Sequence, residues 1–219
     1  MMTKEQILQR LHEIAIVPVL RAPSMEAALA IAEAVAAGGV TVLEVTLTVP
    51  GAVEVIRKLA ASAGDRLLVG AGTVLDPETA QACIQAGAQF IVSPALHIPT
   101  IEFCRREGIA VMPGALTPTE VLTAWQAGAD VVKVFPCSAA GGASYLKALK
   151  APFPQIALLP TGGVSLATAA DFLKAGAFAI GVGSDLVDND AIRRGQPEII
   201  TENARKYVEI VRKTRAGGG

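Results

Sequence analysis

Eight short apolar runs, each bounded by glycine or proline, recur along the chain with room for one helix between neighbours. They are IAIVPVL (14–20), VTVLEVT (40–46), RLLVGAG (66–72), QFIVSP (89–94), IAVMP (109–113), DVVKVFP (130–136), QIALLP (155–160) and FAIGVG (178–183). Unbroken aliphatic runs of this length suit strands buried on both faces. Between them lie Ala-rich segments with helical spacing, such as SMEAALAIAEAVAAGG (24–39), and many stop at glycine before the next run: AGGV, AGAQ, REGI, AGAD, AGAF. A glycine just past a helix end supplies the left-handed residue that closes it. Thr117-Pro118-Thr119-Glu120 reads as a capping box with proline in the first helical position. Pro50 and Asp76-Pro77 are similar punctuation.

Eight strands alternating with helices in 219 residues predict an α/β fold. The expected architecture is a single-domain (β/α)8 TIM barrel with an N-terminal helix, spanning 1–215, with 216–219 as a disordered tail. The competing fold is a doubly wound open sheet with the same local rhythm. That fold announces a dinucleotide by G-x-G-x-x-G after its first strand, whereas this first run ends in Leu20-Arg21-Ala22-Pro23. Pro18 sits inside that run, where proline is normally avoided, and predicts a local bulge. With 52% hydrophobic but only 4% aromatic residues, the core must be aliphatic.

A net charge of −1 leaves no electrostatic footprint for nucleic acid. Lys206, Arg212, Lys213 and Arg215 read as a solvated helix face. Cys83, Cys104 and Cys137 are an odd count without C-x-x-C spacing, which argues against disulfides and thiolate zinc sites and for a reducing cytoplasm. The N-terminal segment MMTKEQILQRLHEIA is amphipathic and lacks a signal peptide's apolar core. No apolar run approaches the ~18 residues of a membrane span. His12 and His97 stand in no ligand-spacing motif, so no metal is expected.

Active sites of such barrels sit at the C-terminal ends of the strands, so polar residues there carry functional information. Lys133 lies inside the apolar run DVVKVFP, on one face with Val131 and Phe135. A desolvated lysine loses its proton more readily and can attack a carbonyl to form a Schiff base. Glu44 is a carboxylate in an apolar strand, suited to acid–base work or to neutralising Lys133. Thr161-Gly162-Gly163 and Gly181-Val182-Gly183-Ser184 follow the seventh and eighth runs, where backbone N–H groups of many barrels hold a phosphate. Arg21, at the end of the first run, suits a carboxylate or phosphate. Thr73, Ser93-Pro94, Thr46 and Thr48 close other strands and could line the same mouth. His97 follows the fourth run and reads as exposed or set back from the mouth rather than at its edge, and Cys137 reads as a small buried hydrophobe.

Taken in order, LEVTLT with Glu44, GAGTV (70–74), IVSP (91–94), MPG (112–114), KVFP (133–136), PTGGV (160–164) and GVGS (181–184) resemble the 2-keto-3-deoxy-6-phosphogluconate (KDPG) aldolase / 4-hydroxy-2-oxoglutarate (KHG) aldolase family over about residues 12 to 213. The resemblance implies a class I aldolase that cleaves such keto acids to pyruvate and an aldehyde, a homotrimeric barrel, and no metal or other cofactor. It implies Lys133 as the Schiff-base lysine and Glu44 as the general acid/base. It implies Thr73, Pro94, Phe135 and Thr161 around pyruvate, and Gly162, Gly163, Gly183 and Ser184 around the phosphate. Many members carry an arginine in EVTLRT where this chain has Thr48, and some without it carry an arginine at the end of the first strand, as Arg21 does here. Arg21 and Thr48 are therefore candidates for the carboxylate end. Rival readings are an aldolase for the phosphogalactonate epimer, a phosphate-binding barrel isomerase, epimerase or synthase, and a non-catalytic metabolite-binding trimer.

Overall fold

A computed structural model describes residues 2–217. Helix α1 (Lys4–Ile14) precedes an alternation of strands and helices: β1 (Ile16–Leu20), α2 (Met25–Ala37), β2 (Val42–Thr46), α3 (Ala52–Ala63), β3 (Leu68–Gly72), α4 (Pro77–Gln85), β4 (Phe90–Val92), α5 (Ile98–Arg106), β5 (Ala110–Met112), β6 (Gly114–Ala115), α6 (Pro118–Gln126), β7 (Val132–Val134), α7 (Gly142–Lys150), β8 (Leu158–Pro160), α8 (Ala169–Lys174), β9 (Ile180–Val182), α9 (Asn189–Arg193) and α10 (Glu198–Ala216). The expected caps are present. Thr117 and Glu120 exchange hydrogen bonds at the start of α6, and Asp76 accepts from the Thr79 amide ahead of α4.

All strand pairings are parallel. One sheet has the order β5-β4-β3-β2-β1-β9 and the other β6-β7-β8. Between β5 and β6 lies only Pro113, whose carbonyl accepts from the Lys133 amide at 2.9 Å. Proline cannot donate to a ladder, so the fifth apolar run ends in β5 and a separate short strand, β6, follows it. At the other junction Thr161, just past β8, bridges in parallel to Gly181 of β9. The α/β class and the curled parallel sheet agree with the sequence reading. The bulge expected at Pro18 does not occur. Strand β1 is continuous, and its pairing with β2 begins at Val19, so the missing N–H leaves no gap there. Helix α10 runs through Ala216, so that residue is not tail, and Gly218 and Gly219 lie outside the described residues.

Period-2 alternation divides each strand between two cores. Leu43, Val45, Val132 and Val134 face the helices in the larger core. Val42, Leu68, Phe90, Ala110, Val131, Leu159 and Ala179 face inward near the strands' N-terminal ends, and Ile7 and Leu11 of α1 close that end. Each fully buried Val, Leu or Ile contributes ~1.5–3 kcal/mol. Helix α1 is tied down further by Lys4–Asp130 (2.9 Å) and by the Arg10 guanidinium on the Arg66 carbonyl (2.6 Å). With the N-terminal end filled by aliphatics, the inward-facing positions further along carry the polar residues.

Candidate active site

Glu44 lies two residues after Val42 and Lys133 two after Val131, so both share the inward face of their strands. Both are buried, with 1% and 5% exposure. Lys133 Nζ donates to Glu44 Oε1 at 3.4 Å and lies 5.5 Å from the centroid of the Phe135 ring. The other carboxylate oxygen, Glu44 Oε2, is buried and has no hydrogen-bond partner. A buried carboxylate with one free oxygen is costly; that oxygen stands available to a substrate hydroxyl or a water.

Neighbouring glycines make the room. A Cβ on Gly72 would fall 2.1 Å from Glu44 Oε1, and one on Gly181 would fall 2.2 Å from Thr161 Oγ1. Thr73 adopts φ +60°, a conformation rare for a β-branched residue and typical of functional strain. Strand β6 passes so close to the loop after β4 that a Cβ on Gly114 would meet the Pro94 carbonyl at 2.3 Å.

A cavity of about 520 Å³ opens at the C-terminal ends of β1, β7, β8 and β9, lined by Arg21, Phe135, Thr161, Gly162, Gly163, Gly183 and Ser184 among others. Seven of the expected site residues thus meet in one space, with Lys133 beside Phe135. Gly162 and Gly163 take φ of +89° and +77°, and Gly183 has nothing within 4 Å of where a Cβ would stand. Thr73 and Pro94 do not line this cavity; they sit on the loops after β3 and β4.

Thr48 lines an adjoining pocket with Arg21 and Asn189. The Thr46 hydroxyl donates to the Leu20 carbonyl at 2.8 Å, so at its 2.6 Å contact with Thr48 it must accept. The Thr48 hydrogen is therefore committed inward, and Thr48 has no donor left for a carboxylate. Arg21 is exposed at the rim, and its carbonyl accepts from the Asn189 side-chain amide at 2.9 Å.

Three polar cavity residues escaped the sequence reading, Ser165, Asp185 and Asn189. Their signal was available: each is a polar residue shortly after an apolar run, Ser165 in PTGGVS and the other two in GVGSDLVDN. Three residues that the sequence reading weighed and set aside lie apart from Lys133 and Glu44. His12 stacks on Phe178 and contacts its carbonyl near the filled end. His97 precedes α5 and contacts the Thr100 hydroxyl. Cys137 is buried, and burial pushes its thiol up to about 11. Among the described residues no group of three or more His, Cys, Asp or Glu side chains is arranged to hold a metal ion.

Comparison with known proteins gives one consistent result. The family model for KDPG and KHG aldolase matches residues 7–203. A KHG/KDPG aldolase of Escherichia coli strain K12 is 40% identical over 194 residues, covering 89% of this chain and 91% of the relative. Among solved structures, KDPG aldolase from Legionella pneumophila, with pyruvate captured as a covalent carbinolamine intermediate, superposes with a TM-score of 0.85 at 33% identity, covering 91% of this chain and 97% of the other. A structure described as native KDPGal gives a TM-score of 0.83 at 37% identity, covering 92% and 96%.

Proposed function

The chain belongs to the KDPG and KHG aldolase family, and we propose that it cleaves 2-keto-3-deoxy-6-phosphogluconate and 4-hydroxy-2-oxoglutarate through a Schiff base on Lys133. The observation that carries this reading is the buried Lys133–Glu44 pair, with Glu44 Oε2 unpartnered and Lys133 next to Phe135, which lines the cavity. A carbinolamine has been captured in the Legionella relative, and Lys133 is the amine whose surroundings here suit the same chemistry.

In this mechanism the Lys133 amine, having given a proton to Glu44, adds to the C2 carbonyl of the keto acid. Glu44 protonates the carbinolamine hydroxyl, which leaves as water, and a protonated imine remains. Glu44 then takes the proton of the C4 hydroxyl. The C3–C4 electron pair moves into the imine, giving an enamine, and the aldehyde departs: glyceraldehyde 3-phosphate from the phosphogluconate, glyoxylate from 4-hydroxy-2-oxoglutarate. Protonation of the enamine at C3 and hydrolysis release pyruvate and restore the amine. Phe135 and Thr161 flank the pyruvate carbons, with Thr73 and Pro94 on neighbouring loops. Arg21 takes the carboxylate with Thr48 beside it, and Gly162, Gly163, Gly183 and Ser184 take the phosphate.

The two sheets are read as one (β/α)8 barrel over 1–215. The bridge at one junction and the single proline at the other support closure. Exposed Leu75, on the loop after β3, and Ile98, the first residue of α5, support association of copies, for which a homotrimer is the reading. The three free cysteines fit a reducing cytoplasm, and no helix among the described residues is long and apolar enough to cross a membrane.

The test is incubation with pyruvate and borohydride. A stable pyruvyl adduct on Lys133, found by peptide mass mapping, is expected; an adduct on another lysine, or none, overturns the assignment. The likeness to the KDPGal structure favours one second reading, in which the galactonate epimer is the better substrate. Cleavage rates on both epimers decide between them.

A further inference from the structure

The Asp185 carboxylate follows Ser184 directly and lines the cavity, yet its oxygen Oδ2 is turned to two donors outside it. It accepts from the Leu166 amide at 3.1 Å and from the Tyr207 hydroxyl. Leu166 belongs to the loop after β8, the loop that also carries Gly162 and Gly163. Tyr207 is on α10, is fully buried, and belongs to a buried stripe with Ile200, Ala204 and Val211. A single carboxylate therefore joins the Gly162–Gly163 loop to the Gly183–Ser184 loop and fastens both to α10.

The two loops have other internal ties. The Thr168 hydroxyl donates to the Gly163 carbonyl at 3.1 Å, and the Leu186 and Val187 amides reach the Gly183 carbonyl. These ties shape each loop separately; the Asp185 side chain spans from one to the other. Burial and the Asp185 contact push the Tyr207 phenol well up, so it remains a donor across the working pH range. Hydrogen bonds to an ionised carboxylate are roughly twice as strong as neutral ones. Backbone amides facing an anion depend steeply on placement, because they must converge on fixed oxygens.

We propose that Asp185 is a positioning residue for the substrate phosphate: through Leu166 and Tyr207 it fixes the spacing of the two glycine loops and so sets the preference for phosphorylated over unphosphorylated keto acids. This rests on the Schiff-base aldolase reading above. The reacting carbons lie at Lys133 and Glu44, in β7 and β2, which Asp185 does not touch. Loosening the clasp should therefore cost the phosphorylated substrate far more than the short one.

The experiment measures kcat and KM on 2-keto-3-deoxy-6-phosphogluconate and on 4-hydroxy-2-oxoglutarate for wild type, Asp185→Ala, Asp185→Asn and Tyr207→Phe, with melting temperatures alongside. For Asp185→Ala the ratio of kcat/KM on the two substrates should fall about 10- to 100-fold, mainly through KM of the phosphorylated one, matching one or two lost charge-assisted hydrogen bonds. Asp185→Asn retains a neutral acceptor and should fall between it and wild type. Tyr207→Phe removes one donor and should shift the ratio in the same direction by less. Inorganic phosphate should inhibit cleavage of the short substrate more weakly in each variant than in wild type.

Equal losses on both substrates, or an unchanged ratio, overturn the proposal and leave Asp185 a stability residue. If Asp185→Ala does not fold, the ratio for Tyr207→Phe decides. If wild type cleaves neither substrate, the aldolase reading fails and takes this inference with it; a wild type active on both with an unmoved ratio in the variants sinks the inference alone.

Discussion

Lys133 Nζ stands 3.4 Å from Glu44 Oε1 although 89 residues separate the two in the chain. Gly72, next door on β3, has no side chain to occupy the space that Glu44 fills. The pair is nearly dry, and each partner is the other's compensation for burial. Removing one charge of a buried pair costs ~3–5 kcal/mol, because the survivor is left unpaired. Lys133→Ala should therefore abolish cleavage and borohydride trapping and also lower stability by about that amount. Adding Glu44→Gln should recover most of the stability and none of the activity. Denaturant melts of the four proteins give the coupling. A Lys133→Ala variant as stable as wild type would show that Glu44 takes up a proton and needs no partner.

Glu44→Gln alone separates the carboxylate's chemistry from its volume. General acid–base catalysis contributes ~10²–10⁴-fold, so turnover should fall by that range while the imine still forms slowly. Rapid-quench trapping reads both rates. Near-normal turnover would reduce Glu44 to a charge partner.

Gly72→Ala tests placement by sterics. The backbone there is ordinary strand, so alanine fits the chain, but its methyl would stand 2.1 Å from Glu44 Oε1 and 2.6 Å from Cδ. Glu44 must move, and kcat should fall by ~10²-fold or more, within the range lost when an acid–base group is displaced. Circular dichroism should show the fold retained. Wild-type kcat in this variant would mean that the observed carboxylate position is not the working one.

Much of this was legible in the chain because the fold is periodic. Lys133 and Glu44 violate an apolar alternation, and a violation inside a strand is visible without knowing what the strand packs against. Arg21 and the glycine loops were legible for a related reason: they follow apolar runs, so their end of the strands was known. Asp185 follows such a run as well and was passed over, because its role is not set by that position: it depends on Tyr207, 22 residues away on α10. The break at Pro113 and the intact strand through Pro18 were also hidden. Whether a missing N–H matters depends on which neighbour faces it, and that is a tertiary fact.

Alkaline stability should report the buried thiols. Burial raises Cys83, Cys104 and Cys137 from near 9 to about 11, 12 and 11. Below pH 9 both states keep the proton, and the stabilisation from holding neutral thiols is fully present. Between pH 9 and about 11 the unfolded chain releases its protons first, so stability falls as pH rises, by at most ~1.4 kcal/mol per unit for each thiol. Melting temperature followed from pH 8 to 11 should drop less steeply in Cys104→Ala than in wild type, after correction for the variant's lower starting point. Parallel slopes would show that the thiol titrates no differently in the folded chain.

Arg21 should supply the charge that position 48 lacks. Thr48 has spent its hydrogen on Thr46, which spends its own on the Leu20 carbonyl. Arg21 lines the cavity and is held at its carbonyl by the Asn189 amide. A charge-assisted hydrogen bond is worth ~1.5–3 kcal/mol, so Arg21→Ala should lower kcat/KM about 10- to 150-fold. The loss should be alike for phosphorylated and unphosphorylated keto acids, since both carry the C1 carboxylate. That pattern is the opposite of the one expected for Asp185, so the two variants assayed side by side distinguish the two ends of the site. Loss confined to the phosphorylated substrate would make Arg21 a phosphate ligand instead. No loss on either would make it a rim residue and leave the carboxylate to hydroxyls and backbone N–H groups. Thr48→Arg placed in the Arg21→Ala background should restore a large part of the activity, because the new guanidinium would enter the pocket from the turn after β2, where Thr48 already borders Arg21.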